Sequence, residues 1–86
     1  MSRYFKIEIS KPAKKSLEKI PHPWKLRIKD AVDALKETPY VGEKMWGKLS
    51  GKRKIRVWPY RIVYTICKKE KTIKILRIAH RQGVYK

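Results

Sequence analysis

Lys54 and Arg56 alternate with Ile55 and Val57, and Arg61 follows in the run Tyr60-Arg61-Ile62-Val63-Tyr64. Residues two apart in an extended chain share a face, so Lys54 and Arg56 are presented together while Ile55 and Val57 anchor the strand on the other side. Arg61 returns towards them across a short turn at Trp58-Pro59, and Arg81 and Tyr85 stand just beyond the last apolar run. Cations held at fixed positions on strands, instead of on a flexible tail, suit the handling of a polyanion. The chemistry such a set supports is phosphodiester cleavage in RNA. There the 2′-hydroxyl is an internal nucleophile beside the scissile phosphorus. A protein need only align it, neutralise the charge of the pentavalent phosphorane and assist proton transfer. Arginine forks fit phosphate oxygens bidentately and lysine acts as a compact point charge. Crowded cations also lower the pKa of a neighbouring tyrosine or lysine, moving it towards acid–base use. The scheme requires no metal and no cofactor.

The charge distribution agrees with that reading. Net charge is +17, but residues 1–43 hold 10 basic and 6 acidic side chains whereas residues 44–86 hold 14 and 1, the single acid being Glu70. Such asymmetry points to a nucleic-acid or acidic-protein partner for the second half. A thermophilic surface is the plainer alternative, supported by the absence of Asn and the single Gln82. Thermophile surfaces, however, mix both signs in networks, and this half does not.

Eighty-six residues predict one domain over 1–86. The lone Cys67 forms no intrachain disulfide, and one Cys with His22 and His80 is a poor metal-ligand set; Cys67 reads as a small core residue. The N-terminus alternates Phe5, Ile7 and Ile9 with Lys6 and Glu8 and forms no signal-peptide core. No stretch reaches membrane-spanning length, so a cytoplasmic location is expected.

The elements that must position the cations follow from periodicity. Residues 4–9 alternate as a strand. Ser10 is an N-cap with Pro12 in the first turn of a helix bearing Ala13, Leu17 and Ile20. Pro21 and Pro23 end that helix and start another, with a stripe of Trp24, Ile28, Ala31, Val32 and Leu35 that stops before Thr38-Pro39. Val41 to Gly51 reads as a loop or short extended connection. Strands are predicted over about 53–58, 60–67 and 72–79, with Pro59 in a tight turn or at an edge and Lys68-Lys69-Glu70-Lys71 in a hairpin turn. Tyr60 and Tyr64 share a row with Ile62 and Ile66 and read as core. The fold class is α+β: strand, helix, helix, then a three-stranded antiparallel meander, with the helical hairpin on one face of the sheet.

The whole chain resembles the RelE/ParE toxin superfamily. The resemblance rests on Leu49-Ser50-Gly51, Lys54-Ile55-Arg56-Val57, Tyr60-Arg61-Ile62-Val63-Tyr64, Ile75-Leu76-Arg77-Ile78-Ala79-His80-Arg81 and Val84-Tyr85. It is closer to the RelE branch, especially archaeal-type members. That resemblance implies a type II toxin: a ribosome-dependent, metal-independent endoribonuclease that cleaves mRNA in the A site through the 2′-hydroxyl. It also implies an acidic RelB-like antitoxin as partner, besides the ribosome and mRNA, with no membrane and no small-molecule cofactor. By matched position, Lys54, Arg56 and Arg61 would orient the phosphate and stabilise charge. Arg81 would stabilise the leaving group, and Tyr85 would stack on a base or assist proton transfer. Trp58-Pro59 departs from the Gly-Asp turn of many relatives, and the chain stops one residue after Tyr85.

Lys48, Lys52, Arg53, Trp58 and His80 complete the expected RNA-binding set. Each candidate has a plainer reading: Lys54 and Arg56 as a solvated strand face, Arg61 as one half of an ion pair, Tyr85 as part of a frayed end. Trp46 and Trp58, in loops, could stack on bases or anchor the antitoxin. Two other functions stay open: a ParE-like toxin that inhibits gyrase, and a non-catalytic nucleic-acid-binding module.

Overall fold

Ser10 sets how the chain passes from its first strand to its first helix. Its side chain accepts a hydrogen bond from the Ala13 amide at 3.2 Å, and its hydroxyl donates to the Leu76 carbonyl at 3.0 Å. One residue thus caps a helix and ties that helix start to the far end of the sequence. The computed structural model describes residues 4–80, so Arg81 and Tyr85 lie outside the described residues.

In chain order the elements are β1 (Lys6–Ile9), α1 (Lys11–Lys19), α2 (Trp24–Ala34), β2 (Glu43–Lys44), a 3-10 turn (Gly47–Leu49), β3 (Arg53–Val57), β4 (Tyr60–Cys67) and β5 (Thr72–His80). They form two helices against a five-stranded sheet of order β1-β5-β4-β3-β2. The antiparallel meander is present as β3, β4 and β5, and β1 joins it parallel to β5. The sequence predicts loop or short extended chain after α2. That connection contributes β2, paired with β3 at Glu43–Lys54 and Lys44–Arg53.

The core lies between the helical hairpin and one face of the sheet. Ala13, Ile20, Ile28, Val32 and Leu35 pack on Ile62, Tyr64, Ile73, Ile75 and Ile78. Fully burying an aliphatic side chain contributes about 1.5–3 kcal/mol, so this layer stabilises the sheet that carries the cations. Tyr64 is fully buried, and its hydroxyl donates to the Pro39 carbonyl at 2.7 Å and accepts from the Gly42 amide at 2.9 Å. Burial pushes its phenol pKa up, partly offset by the Gly42 hydrogen bond and the Arg53 charge. A Cβ on Gly42 would meet the Tyr64 ring at 2.8 and 2.9 Å, which explains glycine there. Cys67 is half-buried at the end of β4, not in the core.

One irregularity matters for the site. Val63 pairs with Arg77 and Tyr64 pairs with Ile75, so Leu76 is an extra residue in β5. Such a bulge shifts which side chains face each way. Without it, strict alternation would put Arg77 on the same face as Ile73 and Ile75. With it, Ile73, Ile75 and Ile78 are all buried while Arg77 is exposed.

Candidate nucleic-acid interface

Opposite the helical hairpin, the sheet presents two rows of side chains fixed by strand register. One row runs Lys54, Val63, Arg77 across β3, β4 and β5; the next runs Arg56, Arg61, Ala79. Val63 is 7% exposed and forms an apolar floor between Lys54 and Arg77. Arg61 is half-buried, while Arg56 and Arg77 are exposed. The small side chain of Ala79 leaves room beside Arg61. In a third row, Thr65 pairs with Lys74, which is itself opposite Glu8 of β1.

Arg56 and Arg61 are direct cross-strand partners. Directly opposed residues have Cβ atoms about 4.5–5.5 Å apart, and like charges so placed destabilise a sheet. The acid closest to the cluster in register is Glu43, whose Oε2 lies 4.0 Å from Lys54 Nζ. Glu43 is exposed, and such a pair contributes only about 0–1 kcal/mol. The result is a strip of four cations on a rigid, partly apolar surface, suited to binding successive negative charges.

Three of the expected catalytic residues, Lys54, Arg56 and Arg61, are therefore brought together. The remaining candidates are dispersed. Trp58 is 64% exposed in the turn joining β3 and β4, beside the Arg56–Arg61 row. Lys48 is exposed in the 3-10 turn, and Lys52 is half-buried just before β3. Arg53 belongs to the other face of β3. It donates to the carbonyls of Gly42 at 2.8 Å and Tyr40 at 3.1 Å and sits over the Tyr40 ring, so it tethers the chain after α2. His80 pairs with Tyr60, on the row of Ile62 and Ile78, and meets its ring edge-on with centroids 5.5 Å apart. Arg77 and Lys74 were missed. The apolar spacing of Ile73, Ile75 and Ile78, two and then three residues, was the available signal for the bulge that exposes Arg77.

The family model for the ParE toxin of type II toxin–antitoxin systems matches residues 7–85. The chain belongs to the RelE/ParE toxin superfamily. It is thereby a type II toxin, and its fold is that of RelE. It is similar to the toxin–antitoxin complex RelBE2 of Mycobacterium tuberculosis, at 26% identity and a TM-score of 0.84, covering 91% of this chain and 99% of that one. The archaeal RelE–RelB complex of Pyrococcus horikoshii matches at 25% identity and a TM-score of 0.76, covering 94% and 99%. The isolated Escherichia coli RelE toxin shares the fold at 20% identity and a TM-score of 0.77, covering 90% and 83%. No curated protein matches the chain in sequence. Among the described residues, no helix of this RelE/ParE toxin is long and apolar enough to cross a membrane.

Proposed function

We propose that this toxin is a ribosome-dependent endoribonuclease that cleaves mRNA in the A site, using the open face of its sheet. The observation that carries the reading is the direct opposition of Arg56 and Arg61, with Lys54 and Arg77 in the adjoining row. Successive phosphates of an RNA strand would bring negative charge to these adjoining cations, and arginine forks take phosphate oxygens bidentately. Lys54, Arg56 and Arg61 hold the scissile phosphate, and Arg77 takes a neighbouring phosphate across the Val63 floor. The 2′-oxygen attacks phosphorus and loses its proton, the bond to the 5′-oxygen breaks, and that oxygen gains a proton. The products are a 2′,3′-cyclic phosphate and a 5′-hydroxyl. Charge accumulating on the phosphorane is neutralised by the arginines, so the scheme is metal-independent. By family position, Arg81 stabilises the leaving oxygen and Tyr85 stacks on a base or moves a proton.

Its partner is an acidic RelB-like antitoxin that shields the basic face, as the RelE–RelB complexes among its structural relatives suggest. Surface ion pairs contribute too little each to hold such a complex alone. Apolar anchorage is available in a groove lined by Ile7, Ile9, Leu17, Ile28 and Val32. The complex is expected to survive salt that releases RNA, whose binding weakens with a log–log slope of about −0.7 to −0.9 per phosphate contact.

The ParE name of the matching family model favours one second reading, inhibition of gyrase. A cell-free transcription–translation assay separates the two. Cut mRNA with gyrase still active supports the nuclease; intact mRNA with inhibited supercoiling supports the alternative.

A further inference from the structure

The open face of the sheet is not the strongest aromatic feature of this molecule. Trp46, 79% exposed, lies beyond β2, and with Tyr40 it lines a cavity of about 340 Å³ at the start of β3. Lys44, Lys52 and Lys68 line the same cavity, with Met45 and Ile66. Met45 is buried and Ile66 half-buried, so the cavity has an apolar base and a cationic rim. Its size is that of a small-ligand site, and no acidic side chain lines it. The Tyr40 ring is already engaged by cations, with Arg53 at 5.2 Å and Lys68 Nζ at 5.8 Å from its centroid. Trp46 is therefore the indole left for an incoming ring.

We infer that this cavity is a second nucleotide subsite, taking one base of a single-stranded nucleic acid against Trp46 with its phosphate on Lys44, Lys52 and Lys68. A flat, exposed indole ringed by lysines matches what a nucleotide offers: every base has a stacking face and every linkage a negative charge. An acidic peptide would also satisfy the lysines, but apolar anchorage for it is available elsewhere, in the groove beside α1 and α2. Lys52 precedes β3, and Arg53 and Ile66 place the cavity on the face of the sheet opposite Lys54, Arg56 and Arg61, so the subsite lies round the β2 edge from the cation rows. This inference deepens the RNA reading, yet nucleotide binding here does not depend on cleavage.

The test follows the three indole N–H signals in a proton–nitrogen NMR spectrum of the intact toxin. Adenosine 5′-monophosphate, adenosine, inorganic phosphate and an oligoglutamate peptide are added separately. The nucleotide is expected to shift the Trp46 signal saturably, and more tightly than adenosine or phosphate alone. Lys44→Ala with Lys68→Ala should weaken that binding at least tenfold, and Trp46→Ala, followed through the backbone amides of Lys44 and Lys52 in the same spectrum, should abolish it. Arg61→Ala, which tests cleavage, should leave it unchanged. A Trp46 signal that does not move, or that moves with the peptide and not with the nucleotide, overturns the subsite. Saturable nucleotide binding in a toxin that leaves mRNA intact on ribosomes would overturn the nuclease and keep the subsite.

Discussion

Arg56 of β3 and Arg61 of β4 face each other directly across the hairpin, two cations held together by strand register. Cross-strand pairs shift stability by about 0.2–1 kcal/mol, and the sign is unfavourable for like charges. Stability and cleavage can each be measured when one of the pair is changed.

Arg56→Gln is expected to leave folding stability unchanged or raise it by up to about 1 kcal/mol. The same substitution should slow mRNA cleavage by about 10²–10³, the scale for one preorganised charge stabiliser. Urea denaturation and single-turnover cleavage measure the two effects. Lost stability with retained cleavage would make Arg56 a structural residue.

Ser10→Ala should cost about 1–2 kcal/mol, because it removes the cap of α1 and a donor to Leu76. The Leu76 carbonyl belongs to the bulge that exposes Arg77, so hydrogen exchange at Leu76 and Arg77 should rise with it. A loss of stability without faster exchange there would separate the cap from the bulge.

Tyr64→Phe should cost about 1–3 kcal/mol, since it strands the Pro39 carbonyl and the Gly42 amide, both buried. The phenol pKa is raised in the fold. Its contribution is therefore fully present below the ordinary tyrosine pKa of about 10 and is lost as pH climbs through the folded value. Wild type should lose stability above about pH 10 faster than Tyr64→Phe does. Parallel stability curves would contradict the shift.

Much of this was legible in the sequence. Period-two alternation located β1 and the meander, and Ser10 and the prolines bounded the helices. The rows joining Lys54, Arg56 and Arg61 followed from a short turn at Trp58-Pro59. What escaped was non-local. The Leu76 bulge depends on how β5 settles against β4, and it decides that Arg77 joins the cations. Arg53 looked like another RNA contact, since nothing in its neighbours shows that its fork is used by carbonyls more than ten positions away. The pairing of β2 with β3, which brings Glu43 to Lys54, rests on two residues, too few for a periodic signal.

The central claim is that the cation rows of the open face perform RNA cleavage. Single-turnover cleavage on mRNA-programmed ribosomes by wild type, Arg61→Ala and Arg61→Lys tests it most directly. Arg61→Ala, folded and bound to ribosomes, should cleave about 10²–10³ more slowly than wild type. Arg61→Lys should recover only part of the rate, because the bidentate fork is lost. Cleavage by folded Arg61→Ala at the wild-type rate would contradict the account.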